Sequence, residues 1–147
     1  MRFSAIPAIF ISVLLSCQTL NAQFAGKLIV EITEFRNENG QVAISIHNGE
    51  EGYPGGEEKM VQAKYVKILN GRATAEFNNL PVGEYAISAY HDENKNEKLD
   101  TNWIGIPKEG TGASNNAKAK MGPPKYEDAK FEFKKDGQRI SFIMVYF

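Results

Sequence analysis

Apolar side chains recur at every second position through most of this chain: Leu28, Val30 and Ile32; Val42, Ile44 and Ile46; Ala73, Ala75 and Phe77; Tyr85, Ile87 and Ala89. A period of two sends successive side chains to opposite faces of an extended backbone, so each run reads as a strand with one buried face. Turn chemistry separates the runs. Asn37-Glu38-Asn39-Gly40 and Asn70-Gly71 supply residues that accept positive φ, and Asn-Gly is a strong hairpin signal. Asn79-Leu80-Pro81-Val82-Gly83 breaks the pattern before the fifth run. Residues 61–69 read as the third strand, Phe131 and Phe133 mark a sixth, and Lys135-Asp136-Gly137-Gln138 is a turn. Residues 140–147 make a seventh strand, apolar on both faces and so expected in a central or doubly covered position. Seven short strands without a helical period predict an all-β fold, an antiparallel seven-stranded β-sandwich.

The N-terminal segment does not belong to that pattern. Arg2 precedes an apolar run over residues 5–15 and then a polar stretch, the order of a secretory signal. The run is too short to span a bilayer as a mature helix. Two processing routes are open. Cleavage after Ala22 makes residues 1–22 the signal peptide and residues 23–147 a single domain. Alternatively, Leu14-Leu15-Ser16-Cys17 has the shape of a lipobox, with lipidation at Cys17 tying the chain to a membrane. Either route exports the protein, to the periplasm or beyond the cell. Cys17 is the chain's one cysteine, so cleavage after Ala22 excludes disulfides and Cys-based zinc sites. Without Arg2 the chain keeps 16 basic and 18 acidic residues, a formal charge of −2 that excludes the basic surface nucleic acid requires.

The connection between strands five and six, residues 92–128, is far longer than a compact domain needs. Such loops are functional or disordered. This one carries Trp103, Ile104, Ile106 and Tyr126, apolar groups able to pin it to the sandwich, which points to an ordered functional loop. It opens with His91-Asp92-Glu93-Asn94-Lys95-Asn96-Glu97-Lys98-Leu99-Asp100. Taking Asp92 as the first position, Asn94, Asn96, the Lys98 carbonyl and Asp100 fall at the ligand offsets of a calcium loop, which offers hard oxygens from alternate residues. Two departures from a full EF-hand stand out. Glu97 occupies the place of the turn glycine, and Trp103 that of the bidentate glutamate. With two carboxylates and Lys95 and Lys98 beside them, the expectation is weak Ca²⁺ binding, in the extracellular range of roughly 10⁻⁴ to 10⁻³ M. Glu109 and Asp128 are candidates for completing the shell. The competing reading is an Asx-rich turn capped by its own side chains.

If every connection reverses the chain, the 37–40 turn, the Asn70-Gly71 turn and the long loop share one end of the sandwich. The acidic loop over residues 50–58, with its four glutamates, then lies at the other end with His47. His91 belongs to the long-loop end, on the face of Tyr85, Ile87 and Ala89, so the two histidines cannot share a zinc ion. There is no Gly-x-Ser-x-Gly, Ser114 has only His91 as a prospective partner, and the glycines of the loop are not spaced to hold phosphate.

Three segments also carry a resemblance: GQVAISIHNGEEGYP, NLPVGEYAISAYHDENKNEKLDTNWIGIPKEG and SNNAKAKMGPPKYEDAKFEF. Together, over residues 27–147, they resemble the bacterial family known as domain of unknown function 2141. The combination of His-Asp-x-Asn-x-Asn, Gly-Ile-Pro-x-Glu-Gly, Ser-Asn-Asn and Gly-Pro-Pro is specific. Ala113 departs from the pattern, standing where an aromatic residue usually precedes Ser-Asn-Asn, which implies a lost packing contact. The resemblance implies export and a β-sandwich, and no reaction. Leu80-Pro81-x-Gly83-x-Tyr85 is similar to transthyretin-like and collagen-adhesin B-type modules, which implies an Ig-like or transthyretin-like sandwich by analogy of fold alone.

The reading that follows is a non-catalytic exported domain that binds an unknown envelope or extracellular ligand. His91, Trp103, Asn115, Asn116 and Tyr126 are its contact candidates, with Ca²⁺ stiffening the loop. The alternatives are a hydrolase acting on envelope or sugar polymers, using His91 with loop carboxylates, and a purely structural envelope domain.

Overall fold

The computed structural model describes residues 24–56 and 59–147. Residues 1–23, where the sequence leads one to expect a signal segment and where Cys17 falls, and Glu57 and Glu58 of the acidic loop, lie outside the described residues. Two sheets face each other. The first has the strand order β4-β5-β1-β9, from Ile68–Leu69 (β4), Arg72–Pro81 (β5), Ala25–Thr33 (β1) and Gln138–Ile143 (β9). The second has the order β3-β2-β6-β7, from Gln62–Val66 (β3), Gln41–His47 (β2), Gly83–Asp92 (β6) and Thr111–Ala113 (β7). Phe131–Phe133 (β8) pairs with the start of β6. The alternation seen in the sequence is the core. Leu28, Val30, Ile32, Val42, Ile44, Ile46, Phe77 and Ile87 are fully buried between the sheets, closed off by Tyr85, Phe133 and Phe142. Burial of each such side chain contributes about 1.5–3 kcal/mol.

Three features depart from the sequence expectation. Nine strands are described rather than seven, because residues 61–69 divide between the sheets and the long loop carries β7. The division leaves no mark on the pattern: Val66 and Ile68 keep the same parity and both turn inward as the chain crosses from β3 to β4. The pairing is also not wholly antiparallel, since β1 and β9 run parallel from Leu28–Gln138 to Thr33–Ile143. No turn joins these two strands, so nothing local forces them to oppose. Finally, β9 is an edge strand rather than a central one. Its chain continues to Val145, which exchanges both backbone hydrogen bonds with Thr111 (2.9 and 2.8 Å) and links the two sheets along one side.

The ends of the sandwich are arranged as the alternation of loops requires. The Gly71 N–H donates to the Glu38 carboxylate at 2.6 Å, joining the two hairpin turns. Gly40, at φ +71°, lies so close to Asp92 that a Cβ there would fall 2.0 Å from its carbonyl oxygen. The long loop is ordered by its own elements: β7, a 3-10 turn at Ser114–Asn116 and the short helix α1, Tyr126–Ala129.

Candidate functional site

Strand β6 delivers two buried polar residues to the mouth of the long loop. Asp92 is fully buried, and its carboxylate accepts the N–H groups of Asn96 (3.0 Å) and Glu97 (3.1 Å) and the Gln41 amide (2.9 Å). The loop curls around it because Lys95 and Glu97 take left-handed conformations, at φ +60° and +61°. Glu97 therefore makes the turn that glycine would make, with some strain. Asx turns follow: Asn94 Oδ1 accepts the Asn96 N–H at 3.0 Å, and Asn96 Oδ1 the Lys98 N–H at 2.9 Å. Both Asn amides donate to the Asp100 carboxylate, at 2.6 and 3.1 Å. Glu109, buried, caps the assembly by accepting the N–H groups of Glu93 and Asp100, each at 2.9 Å.

A carboxylate has about four acceptor positions and a carbonyl oxygen two. By that count Asp100, Glu109 and the two Asn Oδ1 atoms all keep acceptor capacity beyond the bonds just described, and Asp92 keeps one position. These donors are hard oxygens converging on one loop, which suits a cation such as Ca²⁺. Asp128, the other candidate, lies on α1, where it lines a recess with Lys118 and Lys120. Among the described residues no three His, Cys, Asp or Glu side chains group as a metal centre. A cation here would rest on amide and carbonyl oxygens as much as on carboxylates.

His91 faces the core end of the loop and is fully buried. Its Nε2 lies 2.7 Å from the Asn39 carbonyl, which can only accept, so Nε2 carries the proton. Nδ1 lies 2.8 Å from the Tyr146 hydroxyl, which donates to it when the ring is neutral. Both ring nitrogens are thus engaged inside the fold, with full burial keeping the ring from solvent. Arg36 stacks over the Tyr146 ring at 4.6 Å and donates to Glu93 at 2.6 Å, a bond that holds the Glu93 carboxyl below its ordinary value.

Beyond Asp100 the chain makes a small finger. Thr101 bridges Pro107, and Asn102 Oδ1 accepts the N–H groups of Ile104 and Ile106 at 3.0 and 2.9 Å. The tip holds Trp103 out at 94 % exposure, with Ile104 and Ile106 half in solvent. The finger and residues 116–124 stand over the outer face of the second sheet and wall a groove of about 1200 Å³. Its floor is Ala43 and Ser45 of β2, Ala63 and Tyr65 of β3, and Ser88 and Tyr90 of β6. Burial raises the Tyr90 hydroxyl above its ordinary value, helped by a hydrogen bond with Tyr65. Ile143, Val145 and Phe147 border the groove, which accounts for a last strand that is apolar on both faces.

At the far end of the floor lies a second buried polar group. The Ser88 hydroxyl donates to the Pro54 carbonyl at 2.7 Å and accepts from His47 Nε2 at 3.2 Å. With its proton committed to that carbonyl, Ser88 is not arranged as an activated nucleophile. His47 Nδ1 and the Tyr53 hydroxyl, both buried, have no hydrogen-bond partner among the described residues. Burial lowers the His47 imidazole below its ordinary value and pushes the Tyr53 hydroxyl up to about 12.

The contact candidates thus separate. Tyr126 is buried in a cluster with Ala86, Ala113 and Ala129, against Tyr53, and anchors the loop. Ala113 is buried in that cluster, so its position is packed despite the missing aromatic ring. Asn115, at φ +59°, donates to the Lys130 carbonyl at 2.8 Å. Asn116 receives the Ile143 N–H at 2.9 Å and borders the groove, Trp103 stands free at the finger tip, and His91 is inside. Sequence reasoning missed the groove floor. Its signal was present: the middle outward positions of β2 and β6 read Ala43, Ser45, Ala86 and Ser88, a run of small residues.

Fold and site define the class in outline: a two-sheet all-β sandwich with a groove walled by one long loop. No helix among the described residues is long and apolar enough to cross a membrane. Residues 30–141 match the family described as "uncharacterized protein conserved in bacteria (DUF2141)", and the chain belongs to that family. No curated protein and no solved structure matches it.

Proposed function

We propose that this is an exported, non-catalytic binding domain that takes an apolar ligand in the groove over its second sheet. The 92–100 loop holds Ca²⁺ weakly at the foot of the finger that forms one wall. The observation that carries this reading is the groove itself: about 1200 Å³, slightly above the usual range of roughly 300–1,000 Å³ for small-ligand sites, with small residues and two tyrosines below and apolar side chains along its walls. Asp92, Asn94, Asn96, the Lys98 carbonyl, Asp100 and Glu109 would hold the cation, which supplies only rigidity. A stiffened wall gains affinity because less order is lost on binding.

The test uses residues 23–147 and a neutral solvatochromic dye, Nile red. Saturable binding that is lost when Ser45→Trp fills the floor is the expected result. No binding, or binding indifferent to that substitution, overturns the reading and leaves a purely structural envelope domain.

A further inference from the structure

Resting on the groove-binding reading, we infer that the ligand is a single-chain anionic amphiphile, its alkyl chain on the floor and its head at Lys118 and Lys120. The floor presents little that could orient a polar molecule. The Ser88 proton is committed to the Pro54 carbonyl, and the Tyr90 hydroxyl is engaged with Tyr65. A sugar or an extended peptide needs many directional bonds, whereas an alkyl chain needs none. The groove also leaves apolar side chains in water that a chain would cover. Met121 is fully exposed, Phe147 is 65 % exposed and Val145 45 %.

The charges at the rim favour one sign. Lys98, Lys118 and Lys120 border the groove against a single acid, Glu97, in a chain whose formal charge is −1. Lys64 also borders it, but its ammonium is bonded to the Glu76 carbonyl. Among the described residues neither Lys118 nor Lys120 has an ion-pair or hydrogen-bond partner, so receiving an anion breaks no existing contact. Lys125 adds a third ammonium on the far side of the same segment, where a smaller recess of about 460 Å³ opens beside Met121 with Asp128 as its one acid, so three cations face one carboxylate there. An alkyl chain on the floor with its head at this segment matches both the apolar strip and the cationic rim.

The experiment is displacement of Nile red from residues 23–147 by laurate, dodecan-1-ol and dodecyltrimethylammonium, all below their aggregation thresholds. It is repeated on Lys118→Gln/Lys120→Gln, which alters exposed side chains and leaves the floor intact. Laurate is expected to bind about tenfold more tightly than the alcohol, as two charge-assisted contacts allow. The double variant should lose that tenfold for laurate and keep its affinity for the alcohol. Equal affinity for laurate and the alcohol, or preference for the ammonium, overturns the anionic head while groove binding stands. Displacement by none of the three, with no dye bound at all, removes the groove-binding reading as well. Sedimentation supplies the last arm: a dimer that Ser45→Trp dissociates would make the groove's occupant a second copy of this chain and overturn the inference.

Discussion

Glu109 fixes Asp100 by accepting its backbone N–H at 2.9 Å, and its other oxygen accepts the Glu93 N–H at the same distance. One buried carboxylate thereby ties together both limbs of the loop, and it does so from the base of the finger that walls the groove. Glu109→Gln keeps the shape but turns an amide NH₂ toward a backbone donor, leaving one N–H without an acceptor. The expected loss is about 2–3 kcal/mol of folding stability, the cost of an unsatisfied buried group next to a former charge. A urea midpoint unchanged from the wild type would show that the clamp does not hold the loop.

Calcium titration tests the same loop directly. Calorimetry on chelator-stripped residues 23–147 should show saturable heat with a dissociation constant of roughly 10⁻⁴ to 10⁻³ M, and the melting temperature should rise in parallel. Asn94→Ala/Asn96→Ala removes two oxygens from exposed side chains and is expected to abolish the heat while the apo protein still folds. Asp92 is a poorer choice for substitution, because three donors rely on its buried carboxylate. Absence of heat at several times the weak end of that range would leave an Asx-rich turn stabilised by its own bonds.

Much of the fold was legible because a half-buried strand writes its inner face into every second residue. Val42, Ile44 and Ile46 could be assigned to the core without any partner being known, and the positions of turns then ordered the loops at the two ends. What was hidden involved pairing between elements that no turn connects. The parallel register of β1 with β9, and the crossover at Lys67 that conserves parity, leave the pattern unchanged. The site divided in the same way. The Asp92–Asp100 spacing is local, so it could be read, and Glu109 could be named as a nearby acid. The groove arises from a loop folding over a distant sheet face, and only the outward alanines and serines hinted that the face would be covered.

Gly40 provides a sharp test of how closely the hairpin turn and the loop approach each other. It combines φ +71° with a site where a Cβ would meet the Asp92 carbonyl oxygen at 2.0 Å and Glu93 Cα at 2.6 Å. Both neighbours are backbone, so neither can swing aside. Gly40→Ala is expected to cost about 3 kcal/mol or more and to disturb calcium binding with it. By contrast Gly71→Ala, at φ +72° in open space, bears only the conformational strain of about 1–2 kcal/mol. Similar midpoints for the two variants in urea would contradict the close contact.

His47 should make the fold sensitive to mild acid. It is fully buried, its Nε2 proton goes to Ser88, and its Nδ1 faces no acceptor or donor, so a charged imidazolium gains nothing that offsets its desolvation. Tyr53, edge-on at 5.3 Å, stays neutral because burial and the nearby Asp128 charge push its hydroxyl up to about 12. The folded imidazole therefore titrates below its ordinary value of 6.5, and the unfolded chain returns to that value. Between the two the unfolded state binds more protons, so stability is complete above 6.5 and declines as pH falls from there toward the folded value. Glu93 contributes in a separate and lower window. Its carboxyl is depressed by Arg36, so its share is present above its ordinary value of 4.5 and fades only in stronger acid. Urea midpoints followed from about pH 8 to pH 5 keep the carboxylate window mostly out of range, and comparison with His47→Gln assigns the effect to this histidine. The wild type should lose stability across it and His47→Gln should run flatter. Parallel curves for the two proteins would mean that another group carries the proton.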